Sequence, residues 1–178
     1  VTLIDNMLIG NVANNVDIDL GAGDDEIITK DLVANKTVTI NGGAGNDLFD
    51  VRGSKTDVDA SKYVVIGDVS GGDKIKFDAL VQASGFERVQ DSVVKDATTL
   101  KEAINLAIAS NQSASPILNK VFYFTYAGDT YVVHNATSTA VGTPDTLTTD
   151  DTVVKLAGVR SDDLILTADY TEGTLNIN

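Results

Sequence analysis

The sequence predicts a mainly β protein: a parallel β-roll over residues 1–77, then a β-rich region over 78–178 with one or two short helices. Three observations carry this. A glycine-rich nonapeptide ending in aspartate and a large apolar residue stands at 42–50 and recurs imperfectly on either side. Apolar residues return every ninth position through the first 77 residues. After Phe77 that rhythm stops, and aromatic, β-branched segments separated by glycine take over.

The nonapeptide Gly42-Gly43-Ala44-Gly45-Asn46-Asp47-Leu48-Phe49-Asp50 matches G-G-x-G-x-D-x-U-x in full, U being a large apolar residue. Glycines permit backbone angles closed to other residues, so the chain bends tightly and turns its carbonyls inward. Asp47 adds a carboxylate beside them, and hard oxygen donors of this kind suit Ca²⁺. Phe49 then opens a strand and points into the core. Leu20-Gly21-Ala22-Gly23-Asp24-Asp25-Glu26-Ile27-Ile28 fits with the first glycine replaced by Leu20, and 68–76 keeps Gly71, Asp73 and Ile75 at the same offsets.

The apolar ladder is more regular than the turns. Ile9, Ile18 and Ile27 are nine residues apart, as are Ile40, Phe49 and Val58, and again Ile66 and Ile75. Insertions are expected at 30–37 and 59–62. Two nonapeptides make one coil, so turns 21–25, 43–47 and 69–73 are expected to stack along one edge, with 11–15, 30–37 and 53–57 on the other. The second set lacks the glycine–aspartate pattern, so Ca²⁺, one to three ions, is expected along one edge only. The plain alternative is a set of ordinary surface turns, where Gly and Asp are common.

Residues 20–28 and 42–50, and more loosely 68–76, resemble the RTX (repeats-in-toxin) family, which bacteria export by type I secretion. The resemblance implies a Ca²⁺ between stacked turns, with Asp25, Asp47 and Asp73 as side-chain ligands. It implies that Gly21, Gly23, Gly43, Gly45 and Gly71 shape the turns and lend carbonyls. Leu20 and Val69-Ser70 depart from the family pattern.

Charge agrees with a cation-binding role. Lys and Arg number 13 against 26 Asp and Glu, a net charge of −13. That balance opposes binding to nucleic acid or to an anionic membrane, although acidity alone also serves solubility. The chain has no cysteine, so an extracellular protein of this sequence takes its stability from something other than disulfides, and metal is the available staple. No apolar run approaches the ~20 residues of a membrane span, so no membrane insertion is expected. Ile9 already stands in the ladder and no signal peptide precedes it, which gives the expectation that this is the C-terminal end of a longer protein.

In the second region, Asp78–Ser84 reads as a short helix closed by Gly85. The clearest helix is 99–110: Thr99 and Glu102 form a capping box, and Leu100, Ala103, Ile104, Ala107 and Ile108 make an apolar stripe for core contact. Residues 121–134 read as a β-hairpin with Gly128 in its turn. Residues 136–151 look like an exposed loop, in which Asp145, Asp150 and Asp151 are either solvated or a further Ca²⁺ site. Strands are expected at 153–156, 164–166 and 175–177. Gly128–Val133 and Asp151–Val159 resemble the C-terminal ends of RTX-type bacterial surface-layer (S-layer) proteins and large adhesins, which implies an uncleaved C-terminal export signal.

Catalysis finds little support. His134 is the only histidine, at a strand end where a structural role is expected, and there is no cysteine nucleophile or G-x-S-x-G elbow. Three functions stay open. One is a structural, self-assembling S-layer module on the bacterial cell surface. The others are the export module of a large RTX adhesin and that of a secreted RTX protease or lipase. In each, the type I secretion machinery is the expected partner.

Overall fold

In a computed structural model of the chain, residues 7–10, 14–78, 86–111, 119–136 and 145–178 are described. The fold is mainly β. The first seven strands are β1 (Met7–Gly10), β2 (Val16–Asp19), β3 (Glu26–Lys30), β4 (Val38–Asn41), β5 (Leu48–Gly53), β6 (Val64–Asp68) and β7 (Lys74–Lys76). They alternate between two sheets: β1, β3, β5 and β7 run parallel in one, and β2, β4 and β6 run parallel in the other.

The apolar ladder explains this pairing. In the first sheet Ile27 lies opposite Phe49, and Phe49 opposite Ile75. In the second, Ile18 lies opposite Ile40, and Ile40 opposite Ile66. All six are buried in one core between the sheets. A one-residue slip of any strand would turn its row outward, so burial fixes the register. Val58 is the exception. It lies in a turn and is 48% exposed. The Asp57 carboxylate accepts hydrogen bonds from the amides of Asp59 and Ser61, which closes the turn and delays the next strand to Val64.

The later strands extend both sheets. β8 (Phe86–Arg88), β9 (Lys120–Tyr126), β10 (Asp129–Asn135) and β11 (Thr152–Leu156) continue the second, with β11 parallel to β6. β12 (Leu166–Asp169) and β13 (Thr174–Ile177) continue the first, with β13 antiparallel to β7. The expected hairpin is β9–β10, joined by Ala127 (φ 52°) and Gly128 (φ 92°). Two positive φ angles match the right-handed twist of the strands. Both hairpin faces are covered, which is why its sequence shows no polar alternation. Val121, Tyr123 and Val132 face the main core, while Phe122, Phe124, Tyr131 and Val133 face a second apolar cluster.

Helix α2 (Leu100–Ser110) supplies that second cluster with Ala103, Ile104, Ala107 and Ile108. Thr99 caps it by accepting from the Glu102 amide at 3.2 Å. The Glu102 carboxylate reaches one residue further back than a standard capping box, to the Thr98 amide at 2.8 Å. Helix α1 (Asp91–Val94) precedes it. The helix expected at 78–84 lies, beyond Asp78, outside the described residues. His134 is fully buried with its ring 5.7 Å from that of Phe77, a packing position. Among the described residues no helix is long and apolar enough to cross a membrane.

β5 carries an ion pair between a buried aspartate and a half-exposed arginine. The Asp50 side chain is 1% exposed and accepts from Arg52 Nε at 2.9 Å. Burial pushes the Asp50 carboxyl up, but the hydrogen bonds and charge of Arg52, with Lys76 nearby, bring it net below its ordinary 3.8. Arg52→Ala should cost about 2 kcal/mol at neutral pH, since it leaves a buried carboxylate without its cation while the half-exposed arginine itself contributes modestly. A depressed folded pKa stabilises above the ordinary value and loses that effect as pH falls through the folded one. The difference between the two proteins should therefore close in urea titrations below the ordinary 3.8.

Candidate metal centre

Turns 21–25, 43–47 and 69–73 stack on one edge of the two sheets. The Ala44 amide donates to Gly21 O at 2.9 Å and the Gly23 amide to Ala44 O at 2.7 Å. The Leu48 amide donates to Asp25 O, and the Lys74 amide to Asp47 O. Gly21, Gly23, Gly43 and Gly45 all have positive φ. In the third turn the left-handed position is Gly72 (φ 109°) and not Gly71, where a Cβ would make only ordinary contact with the Asn178 backbone at 3.8 Å. Adjacent glycines are equivalent in sequence, and only the turn geometry distinguishes them.

Asp25, Asp47 and Asp73 form a buried column, each at most 2% exposed. The Asp25 amide donates to Asp47 Oδ1 at 2.9 Å, and the Asp47 amide to Asp73 Oδ1 at 3.0 Å. The three carboxylates then differ. Both oxygens of Asp25 and Oδ2 of Asp47 are buried without a hydrogen-bond donor. Asp73 Oδ2 is held by the Ser70 amide at 2.7 Å and by its hydroxyl at 3.2 Å. Asp68 closes the same interval by accepting from the amides of Gly42 and Gly43. Unsatisfied oxygens therefore concentrate at turns 21–25 and 43–47.

The electrostatics are one-sided. Asp24, Asp25, Asp47, Asp68 and Asp73 share the edge, and among the described residues none is ion-paired to a Lys or Arg. Burial pushes the Asp47 carboxyl above its ordinary value; the Asp25 amide opposes this, and the charges of Asp73, Asp25 and Asp68 add to it. Burying such charge is costly unless a cation pairs with it or a proton neutralises it.

The residues present fit a hard cation. No backbone N–H among the described residues reaches the carbonyls of Gly23, Gly43 or Gly45, which leaves them for solvent or a metal. A Cβ on Gly42 would lie 2.2 Å from Asp47 Oδ2 and displace that carboxylate. No cluster of three or more His, Cys, Asp or Glu side chains suited to a metal ion occurs among the described residues, so a site here would lean on backbone carbonyls.

The opposite edge is built differently. Thr29 Oγ1 and Ser54 Oγ are 2.6 Å apart, the Thr37 amide donates to Asn15 Oδ1, and the turn residues Asp31 and Asn35 have positive φ without being glycine. These Thr, Ser and Asn groups are paired within the protein. The chain matches no known protein family and no characterised protein.

Proposed function

We propose that the region 1–77 is a parallel β-roll that folds on Ca²⁺. We further propose that the chain is the C-terminal module of a bacterial S-layer protein, exported by type I secretion and assembling on the cell surface. The observation that carries the calcium reading is the set of buried, donor-free oxygens on Asp25 and Asp47 at stacked glycine turns. The alternation of parallel strands between two sheets supports the roll. The sequence resemblance at 128–133 and 151–159 supports an S-layer over an enzyme fragment, and the role is structural rather than catalytic. In this reading Asp25 and Asp47 hold the cation with turn carbonyls. Asp73 orders the third turn through Ser70, a role the sequence did not predict.

Asp25→Asn and Asp47→Asn should each weaken Ca²⁺ binding at least ~10-fold, because removing a ligand charge lowers affinity steeply. Asp31→Asn, on the opposite edge and tolerant of the left-handed backbone, should leave it unchanged. Isothermal titration reads all three. Equal losses in the three variants would remove the edge assignment.

A further inference from the structure

We propose a second divalent-cation site, outside the turn column, formed by Asn135, Asp145 and Asp151 where the end of β10 meets the segment leading into β11. This region is polar in sequence, yet these three residues are buried: Asn135 is 6% exposed, Asp145 5% and Asp151 0%. Asn135 Nδ2 donates to Asp145 Oδ2 at 2.9 Å, and that bond fixes the amide orientation, since a flipped amide would set two acceptors against each other. The other amide atom, Asn135 Oδ1, is buried against no donor. Asp151 is held at the same strand end, accepting from the amide of Ala136, the residue after Asn135, at 2.9 Å and from the Thr148 amide at 2.7 Å. Asp145 Oδ1 accepts from the Thr146 amide at 3.0 Å.

The two amide bonds take one lone pair of each Asp151 oxygen and the Thr148 hydroxyl a further one, while the two amide bonds to Asp145 take one lone pair of each of its oxygens. No Lys or Arg among the described residues pairs with Asp145 or Asp151. Two neighbouring anions and an unpartnered carbonyl oxygen are thus buried together without a cation. Burial, and behind it the charge of Asp145, pushes the Asp151 carboxyl above its ordinary value, while three hydrogen bonds from Thr148 and Ala136 oppose the shift. An all-oxygen donor set of mixed charge suits Ca²⁺, which accepts irregular coordination. Bound there, the ion would tie β10 and β11 to the 145–148 segment. That segment is fastened to α2 by the Leu147 amide, which donates to Asn105 Oδ1 at 2.9 Å.

The test is the number of Ca²⁺ ions bound per chain at saturation, by equilibrium dialysis with elemental analysis, for the wild type, Asp145→Asn, Asn135→Asp and Asp47→Asn. Asp145→Asn should bind one ion fewer while keeping the turn-column ions. Asp47→Asn tests the turn column separately, so either site can fail without the other. A folded Asp145→Asn protein with an unchanged count overturns the proposal. If that variant does not fold, Asn135→Asp decides. A third carboxylate facing a cation should tighten one class of sites about tenfold, whereas unchanged or weaker binding in all classes means that a proton, not a metal, neutralises the cluster.

Discussion

Gly43→Ala should destabilise the protein by about 3–5 kcal/mol, against about 1–2 kcal/mol for Gly128→Ala. The two glycines have nearly the same φ, 91° and 92°, so the intrinsic strain of a left-handed alanine is shared. Their surroundings differ. A Cβ on Gly128 would meet nothing within 4 Å, whereas one on Gly43 would lie 1.9 Å from the Gly21 carbonyl oxygen, which is backbone and cannot rotate away. The two turns must separate, which breaks the paired bonds from Ala44 to Gly21 and from Gly23 to Ala44. Each is worth roughly 1 kcal/mol, and the Asp25 amide bond to Asp47 lies next along the stack. Against a typical total stability of 5–15 kcal/mol such a loss is large. Denaturant titration of both variants gives the comparison. Equal losses would mean that the turns are not held in close register and that glycine serves there only for its φ.

What was legible in the sequence follows from which interactions are local. The rungs Ile18–Ile40–Ile66 and Ile27–Phe49–Ile75 could be read because parallel strands alternating between two sheets repeat one burial environment at a fixed spacing. The hairpin and α2 could be read because turn and cap chemistry lie within a few residues. Val58 was misplaced because the nine-residue count competes with a turn closed by Asp57, and local hydrogen bonds win where the chain leaves the sheet. The capture of Asp73 by Ser70 was hidden because serine and glycine are both ordinary turn residues. The burial of Asp145 and Asp151 was hidden for a different reason. Composition marks 136–151 as polar, but it does not say that these carboxylates fold back onto Asn135 and Ala136. Nor does any local signal announce that β11 and β13 add to sheets begun far upstream; their length and apolar character predict strands without naming a partner.

Removing calcium should loosen or unfold the β1–β7 region. The chain carries a net charge of −13 and no disulfide, and its glycine edge sets Asp24, Asp25, Asp47, Asp68 and Asp73 together without a basic partner. In the metal-free state the donor-free oxygens of Asp25 and Asp47 bear the cost of burial with nothing to offset it. In the proposed reading Ca²⁺ would supply the counter-charge, and binding only to the folded state would stabilise it by about 1.4 kcal/mol per site at about ten times Kd. Extracellular modules bind Ca²⁺ with Kd near ~10⁻⁴–10⁻³ M. At such affinity the chain would stay loose in a low-calcium cytoplasm, fit for an export channel, and fold outside. Circular dichroism during chelator titration should lose β signal, and millimolar Ca²⁺ should restore it. Mg²⁺ should restore much less, because it demands a near-octahedral shell that a stack of turn carbonyls does not offer. Hydrogen exchange should open first at 21–25 and 43–47, and last in the β9–β10 hairpin, which has its own apolar cluster with α2. A spectrum and melting temperature indifferent to chelation would mean that the apolar rungs alone hold the fold and that the acidic edge has another use.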